Sequence, residues 1–176
     1  EKMKKILVVV IVLVMALSFV ACGKSGALKV AIDDTYPPME YVNEDGELVG
    51  FDIDMAKALG KEMGVEIEFV STGWDGIFAG LSVDQYDCII SSVSMTTDRL
   101  ATMEFTTPYL ANGQVIMVVP GDASIATMAD LAGKNVGVQF QTTADAAADK
   151  ALEEVSFEKI AFDDMTTCLT AMKAGQ

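Results

Sequence analysis

The sequence of 176 residues contains no histidine and only three cysteines. Histidine is the side chain that most often serves as a general base and as a metal ligand, so its absence argues against an enzyme that depends on either role. The cysteines form no CxxC pair, whereas zinc sites draw their ligands mainly from Cys and His. We therefore expect no metal and no cofactor.

Two of the cysteines, Cys88 and Cys168, lie far apart in the sequence. Cys88 belongs to the apolar run Cys88-Ile89-Ile90, where we expect it to act as a small buried hydrophobe. A disulfide between Cys88 and Cys168 stays open as an alternative, because an oxidising compartment outside the cytoplasm would permit it.

Basic residues are also scarce. The chain has 12 Lys and Arg against 26 Asp and Glu, for a net charge of −14. Nucleic-acid binding depends on Lys and Arg contacts to phosphates, so nucleic acid is not an expected partner. The acidic surface tolerates a cationic ligand, although net charge alone does not select one.

An apolar run is present near the N-terminus, after Lys2, Lys4 and Lys5. A basic start, a short apolar stretch and a small residue before the cut are typical of a secretory signal peptide, which we assign to residues 1–21. An uncleaved signal anchor is the alternative, but the run is shorter than the roughly 20 residues that a bilayer span needs.

Cys22 follows Phe19-Val20-Ala21, and these four residues resemble the lipobox of bacterial lipoproteins. The resemblance implies that Cys22 is acylated and becomes the mature N-terminus, with residues 22–27 as the tether. Acyl chains anchor a protein because each buried CH₂ contributes about 0.8 kcal/mol. The expected location is outside the cytoplasm, lipid-anchored to the cell membrane on its periplasmic or extracellular face.

Predicted strands and helices alternate through the rest of the chain, which favours an α/β fold with a largely parallel sheet. We predict two lobes, residues 28–112 and 113–176, with a hinge near Asn112. The second lobe looks incomplete because residue 176 follows a helix where another strand is expected, so we interpret the chain as a fragment. The predicted elements are the strands 28–32, 65–70, 86–91, 114–119, 136–139 and 159–162 and the helical segments 74–81, 97–103, 128–131, 143–152 and 165–174.

The segment 50–63 is the most informative stretch, because acidic and apolar residues alternate where a strand should turn into a helix. Its apolar residues have helical spacing. Asp52 is expected to cap the first turn and Gly64 to end the helix. The predicted buried face consists of Ile53, Ala56, Leu59 and Met63.

The chain resembles the bacterial extracellular solute-binding proteins that serve polar amino acid ABC transporters. The resemblance rests on the order and spacing of several blocks, namely residues 33–41, 50–63, 74–77, 90–99, 105–109 and 130–138. It implies a periplasmic-binding-protein-like clamp of two lobes, each a mostly parallel sheet flanked by helices. Such a clamp closes on one free amino acid and delivers it to a membrane permease, as a monomer and without catalysis.

The same resemblance implies the residues that hold the backbone of the amino acid. Arg99, the only arginine, would bind the α-carboxylate, because a planar guanidinium pairs bidentately with a carboxylate and keeps its proton. Gln139 and Thr143 would come from the second lobe, where the helix N-terminus near Thr143 favours an anion. At the cleft edge the resemblance implies Ser91, Ser92 and Ser94.

For the ligand side chain, the resemblance implies Tyr36 and Trp74 as flanking aromatic faces and Asp33 as the partner of a cationic group. These residues favour arginine or lysine, while glutamine, cystine and other polar amino acids stay open. Glu40 is expected to be structural or exposed. The chain departs from the family pattern at Gln141, where many relatives have Gly, and the expected second-lobe acid for the α-amino group lies beyond residue 176.

Two other functions share this fold. One is a dehydratase acting on cyclohexadienyl acids, which turnover of arogenate or prephenate would identify. The other is a sensor domain that drives a kinase, which would need a membrane-spanning helix in place of a lipid tail. The sequence supplies no obvious acid–base pair, and the lipobox argues against a sensor, so we expect a binding protein.

Overall fold

A computed structural model describes residues 26–176 of the chain. The predicted signal peptide and the predicted lipidation site Cys22 lie outside the described residues. None of the helices in residues 26–176 has the length and apolar character that a membrane crossing requires.

The first half of the described chain forms a parallel three-stranded sheet with a small antiparallel sheet beside it. Three helices accompany these strands. In chain order the elements are β1 (Leu28–Ile32), β2 (Thr35–Tyr36), β3 (Glu40–Val42), β4 (Leu48–Val49), α1 (Phe51–Met63), β5 (Ile67–Ser71), α2 (Trp74–Ser82), β6 (Cys88–Ile89) and α3 (Thr97–Leu100). The parallel sheet has the strand order β5-β1-β6, and the antiparallel sheet has the order β2-β3-β4.

The second half is built around a parallel pair of strands. The elements are a short 3₁₀ helix (Met128–Leu131), β7 (Asn135–Gln139), α4 (Thr143–Ala151), β8 (Glu158–Phe162) and α5 (Met165–Lys173). β7 runs beside β8 with Val136 opposite Lys159 and Val138 opposite Ala161. The core of this half is the cluster of Leu131, Val138, Ala148 and Phe157.

Strand β1 is the centre of the first sheet, and its last three residues are completely buried. Val30 and Ile32 pack against Ile53 of α1 on one face. Ala31 packs against Trp74 and other residues of the α2 side on the opposite face. A strand between two parallel neighbours, covered by helices on both sides, is buried on both faces.

The start of α1 depends on Gly50. Its φ of 132° lies in the region open to glycine, and a Cβ at this position would overlap the backbone carbonyl of Met39. The predicted cap at Asp52 is wrong, because the N-cap residue of α1 is Gly50, no side chain caps the helix, and Asp52 is fully buried. The carboxylate of Asp52 instead accepts hydrogen bonds from Ser92, in a distant part of the sequence.

The prediction that Gly64 ends α1 is confirmed, since Gly64 has left-handed backbone angles and its N–H bonds the carbonyl oxygens of Gly60 and Lys61. The predicted buried face is only half right. Ile53 and Ala56 are buried, but the side chains of Leu59 and Met63 are 45% and 60% exposed. The inner face continues instead through Gly60, where a side chain would collide with Ile67.

The predicted strand 114–119 is wrong. These residues form no strand, and Val115 is 83% exposed. A strand needs the backbone groups of a neighbour, and within residues 26–176 no strand pairs with this segment. The predicted strand 86–91 contracts to Cys88–Ile89, and the predicted helix 97–103 to Thr97–Leu100.

The disulfide alternative is not realised, because Cys88 and Cys168 both carry free thiols. Cys88 is partly exposed and packs against the cluster of Val30, Ile32 and Ile53. Cys168 is buried beside Gly137. Burial raises the pKa of both thiols, with a smaller contribution from a nearby aspartate in each case.

Candidate functional site

A cavity lies between the two halves of the described chain and contains about 530 Å³ of space free of protein atoms, part of it open to solvent. The cavity brings together all nine ligand-binding residues predicted from the sequence, namely Asp33, Tyr36, Trp74, Ser91, Ser92, Ser94, Arg99, Gln139 and Thr143.

The parallel sheet explains how residues so far apart in the sequence meet. Asp33 follows β1, and Ser91 and Ser92 follow β6, which is hydrogen-bonded to β1. The carboxyl ends of adjacent parallel strands lie at the same edge of a sheet, where α/β proteins bind their ligands. Trp74, the first residue of α2, joins them from the end of β5.

Arg99 is held at this edge by a short helix and by two aromatic rings. The N-cap Thr96 accepts a hydrogen bond from the backbone N–H of Arg99 at 3.2 Å. Nη1 of Arg99 donates to the carbonyl oxygen of Ser94 at 3.0 Å. The guanidinium carbon lies 5.3 Å from the ring centroid of Trp74 and 4.9 Å from that of Phe78, at cation–π distance.

Within residues 26–176, no carboxylate forms a salt bridge with Arg99. Partial burial lowers the pKa of the guanidinium, but a guanidinium remains protonated in proteins. Arg99 therefore has a positive charge that is available to an anionic group of a ligand. It also has N–H donors besides those bonded to carbonyl oxygens.

The carboxylate of Asp33 is a second charged group that lines the cavity. Its Oδ1 accepts hydrogen bonds from the backbone N–H of Thr35 at 3.3 Å and from its hydroxyl at 2.6 Å. Its Oδ2 accepts from Nε2 of Gln139 at 2.8 Å, across the cavity. The backbone N–H of Asp33 donates to Oγ of Ser91 at 3.0 Å. Asp33 is thus fixed by residues of both halves of the chain.

Gln141 connects the halves through its backbone. It has a φ of 58°, in the left-handed region, and its carbonyl oxygen accepts from Nε1 of Trp74 at 3.2 Å and from Nη2 of Arg99 at 3.5 Å. The backbone N–H of Gln141 donates in turn to Oδ2 of Asp145 at 2.9 Å. The residue that departs from the family pattern therefore contacts both Trp74 and Arg99 through its main chain.

Further contacts join the second half of the chain to the site. Thr142 caps α4 by accepting from the N–H of Asp145, and Thr143 is the first residue of the helix. The Thr143 hydroxyl accepts from Nε2 of Gln114 at 2.9 Å. The hydroxyl of Thr166 donates to the carbonyl oxygen of Thr35 at 2.9 Å. Of these bonds, the one between Thr166 and Thr35 crosses from the second half of the chain to the first.

Glu40, which was expected to be structural or exposed, is structural, and it also lines the cavity. Its side chain is completely buried, and Oε1 accepts from the hydroxyl of Ser91 at 2.6 Å. Burial, with the negative charge of Asp52 and then Asp33, raises the pKa of Glu40 to about 9, although the bond from Ser91 opposes the shift.

The sequence did not single out several other lining residues, namely Glu40, Asn112, Gln114, Thr142, Ala144 and Met165. Glu40 had a usable signal, because it lies within the motif block 33–41 beside Asp33 and Tyr36. Asn112 and Gln114 lie in or next to the segment 114–119, which was predicted to be a strand but is not one. The sequence pattern therefore did not indicate that their side chains line the cavity.

Comparison with known proteins gives consistent similarities. Residues 28–175 match the family described as bacterial extracellular solute-binding proteins, family 3. The ABC transporter arginine-binding protein 1 of Escherichia coli K12 is 38% identical over 135 residues, which are 76% of this chain and 55% of that protein. The L-cystine-binding protein TcyJ of the same organism is 38% identical over 118 residues, 66% of this chain and 44% of that protein.

Solved structures of amino acid-binding proteins have a similar fold. An ancestral arginine-binding protein bound to arginine has a TM-score of 0.80 and 37% identity, over 85% of this chain and 66% of that one. An ancestral amino acid-binding protein, a precursor of cyclohexadienyl dehydratase, has a TM-score of 0.79 and 35% identity, over 86% of this chain and 67% of that one. The chain spans about half the length of the two relatives from Escherichia coli.

Proposed function

The chain belongs to family 3 of the bacterial extracellular solute-binding proteins and has the α/β fold of their two-lobed clamp. On that premise, we propose that the protein binds a free polar amino acid outside the cytoplasmic membrane and delivers it to an ABC transporter permease. The observation that carries the proposal is the cavity between the two halves, which combines the guanidinium of Arg99 with a group of polar side chains from both halves. A zwitterion that leaves water needs such fixed partners, because burying an unpaired charge is costly.

The α-carboxylate of the ligand would bind Arg99. This assignment is supported by the absence of a carboxylate salt bridge to Arg99 within residues 26–176 and by its stacking on Trp74 and Phe78. Donors of Arg99 are directed at the carbonyl oxygens of Ser94 and Gln141. A carboxylate that replaces the weak 3.5 Å contact to Gln141 would gain a charge-assisted bond.

The remaining polar groups would hold the other parts of the amino acid. The hydroxyls and backbone groups of Ser91, Ser92 and Ser94 would bond its polar ends, and the first turn of α4 at Thr143 would supplement Arg99 at the carboxylate. Tyr36 and Trp74 would flank the side chain. These roles are proposals that rest on position in the cavity.

We favour a cationic amino acid, arginine or lysine, as the ligand. The support is the buried carboxylate of Asp33, which lines the cavity. The names of an arginine-binding relative and of an arginine-bound structure point in the same direction. Glutamine and cystine stay in the panel of candidates, because one relative is named for cystine and Asp33 is already bonded by Gln139.

The relatives named above are binding proteins, and we propose that this protein is likewise not an enzyme. The competing activity, dehydration of a cyclohexadienyl acid, is favoured by the similarity to the ancestral precursor, which is itself described as an amino acid-binding protein. Incubation with arogenate and prephenate is expected to give no product, and turnover of either would establish the enzymatic alternative.

The further proposals concern parts of the chain that the comparisons leave open. Residues 1–21 would be a signal peptide, Cys22 would carry the lipid, and residues 22–27 would be the tether to the membrane surface. Residues 28–112 and 113–176 would belong to the two lobes of a monomeric clamp. Mass spectrometry of the protein from membranes tests the lipid, since acylated Cys22 has a higher mass than the unmodified residue.

Isothermal titration calorimetry of the purified protein with L-arginine, L-lysine, L-glutamine and L-cystine tests the function. We expect saturable one-to-one binding of at least one ligand, and we expect Arg99→Ala to abolish it while circular dichroism stays unchanged. Lys57→Ala, which removes an exposed charge from α1, is the matched control. Undiminished affinity in Arg99→Ala would overturn the role of Arg99, and no heat with any of the four ligands would contradict the proposed ligand class.

A further inference from the structure

Two buried carboxyl groups beside the cavity each have one oxygen without a hydrogen-bond donor. Glu40 and Asp52 are both 0% exposed. Oε2 of Glu40 and Oδ1 of Asp52 find no partner within residues 26–176, while the other oxygen of each group is bonded. Buried oxygens without donors are unfavourable, and two buried negative charges are more so.

The backbone brings these two groups together. The N–H of Asp52 donates to the carbonyl oxygen of Met39 at 2.9 Å, so that the first turn of α1 lies against the start of β3. Gly50 permits this approach because it has no Cβ. The two carboxyl groups therefore lie on adjoining elements and bond the consecutive residues Ser91 and Ser92. The negative charge of Asp52 acts on the carboxyl group of Glu40.

Two ionised carboxylates are both acceptors and cannot bond each other, but one proton converts either of them into a donor. We propose that Glu40 and Asp52 share one proton between Oε2 and Oδ1, and that this pair positions Ser91 and Ser92 at the edge of the cleft. The bond satisfies both unpartnered oxygens and leaves a single negative charge on the pair.

The surroundings of the pair favour retention of the proton. The titratable groups that face it are Asp33 after β1, Tyr36 on β2 and Tyr109 after α3, and none of them is a cation. The pKa of Glu40, raised to about 9 chiefly by burial, agrees with a carboxyl group that is protonated at neutral pH. Burial and Asp52 also raise the pKa of the Tyr109 hydroxyl, which donates to Oδ2 of Asp52 at 3.2 Å.

The pair reaches the cleft through two serines. Oε1 of Glu40 accepts from the hydroxyl of Ser91, which accepts in turn from the N–H of Asp33. Oδ2 of Asp52 accepts from the N–H of Ser92 at 2.6 Å and from its hydroxyl at 3.0 Å. Ser92 has a φ of 47°, a left-handed conformation that serine rarely adopts, and these bonds hold it there.

Loss of the shared proton places a second negative charge in the buried pair, and the two carboxylates then repel each other. Glu40 and Asp52 lie on different elements, so their separation moves Ser91 and Ser92 relative to one another. The effect of this movement on amino acid affinity rests on the proposed function, whereas the proton itself and the conformation of Ser92 do not.

Infrared and NMR spectroscopy of the purified protein test the proposal without a ligand. At neutral pH we expect the carbonyl band of a protonated carboxylic acid, which disappears as the pH rises through about 9. The amide proton of Ser92 is expected to shift in the same pH range. Both signals are expected to lose this pH dependence in Glu40→Gln, because the side-chain amide supplies a permanent donor to Asp52.

Glu47→Gln, an exposed position on the same hairpin, is the matched control and is expected to retain the band and the shift. Absence of a protonated-acid band at neutral pH would overturn the shared proton, and so would an unchanged titration of Ser92 in Glu40→Gln. A band without any response of the Ser92 amide would overturn the positioning role.

Calorimetry with L-arginine then separates this proposal from the proposed function. If arginine binds, we expect its affinity to fall above pH 9 by about tenfold more in the wild type than in Glu40→Gln. A shift of one unit in the pKa of the Glu40–Asp52 pair between the free and the bound protein corresponds to that factor. Equal losses in both proteins would contradict the positioning role at the cleft. If no amino acid binds but the spectroscopic titration is present, the proposed function fails and the shared proton stands.

Discussion

The side-chain amide of Gln139 bonds the carboxylate of Asp33 across the cleft at 2.8 Å, and both side chains are 3% exposed. Nε2 of Gln139 also contacts the carbonyl oxygen of Asp163 at 3.3 Å. The residue proposed to bind a cationic ligand therefore already has a neutral partner from the opposite half of the chain, and a cation entering the cleft has to share or displace it.

Removal of this partner is predicted to destabilise the protein. Gln139→Met keeps the length of the side chain but leaves Oδ2 of Asp33 without its donor, at an expected loss of about 1–3 kcal/mol in the free energy of unfolding. Urea denaturation measures the loss. Gln85→Met, at an exposed position, is the control, and an equal effect of both variants would mean that the contact across the cleft contributes nothing.

The same variant is informative about specificity. If Asp33 receives the cationic group of the ligand, Gln139→Met frees its carboxylate and should raise the ratio of L-arginine to L-glutamine affinity, because a charge-assisted bond to a carboxylate is stronger than a neutral one. Calorimetry with both ligands measures the ratio. A fall in the ratio would indicate that Gln139 itself recognises the cation.

Gly50→Ala is predicted to be severely destabilising. A Cβ there overlaps the carbonyl group of Met39, and the φ of 132° is unfavourable for alanine, so we expect a loss of about 3 kcal/mol. Gly76→Ala is the matched control, since Gly76 lies in α2 with open space around it and no strained φ. It should be neutral or stabilising by up to about 1 kcal/mol, as for alanine in a helix.

Arg99→Lys is predicted to retain the positive charge but to lose the bidentate geometry and the stacking on Trp74 and Phe78. We expect the affinity for the amino acid to fall by at least about tenfold, while the fold is unchanged. Calorimetry measures the affinity and near-ultraviolet circular dichroism the aromatic packing. An unchanged affinity would indicate that charge alone matters at this position.

Asp145 is predicted to contribute acid-sensitive stability. Burial opposes ionisation, but the bonds from Lys159 and from the N–H of Gln141 outweigh it, so the folded-state pKa of Asp145 lies below the ordinary 3.8. The contribution is therefore present above pH 3.8 and is lost as the pH falls through the lower folded-state value. Thermal unfolding between pH 7 and 3 should show a smaller acid-induced decrease for Asp145→Asn than for the wild type, with exposed Glu62→Gln as a control that retains the decrease.

The sequence correctly predicted those helices and helix ends that are determined by residues close together in the chain. The end of α1 at Gly64 follows from a glycine that adopts left-handed angles, and residues 74–81 read correctly as a helix because their apolar spacing matches the face that packs on β1. The motif blocks predicted the site, since strand ends and helix starts carry its residues. Their positions around one cavity agree with that expectation, whereas their roles stay predictions.

The failures have causes that are distant in the sequence. Asp52 resembles a helix cap in sequence, but its partners Ser92 and Tyr109 lie 40 and 57 residues away. Segment 114–119 has the composition of a strand, yet composition does not supply a neighbouring strand. The apolar spacing also suggested Leu59 on the inner face of α1, where the close approach of Ile67 selects Gly60 instead.

The indole of Trp74 donates to the carbonyl oxygen of Gln141, a residue of the opposite half of the chain, and Trp74 is the only tryptophan in the sequence. The protein therefore carries a fluorophore at the place where its halves touch. Opening of the cleft removes that hydrogen bond and admits water to the ring, so the intrinsic emission of an unlabelled sample reports closure directly. A stopped-flow trace of this emission would time the motion with no probe other than the protein itself.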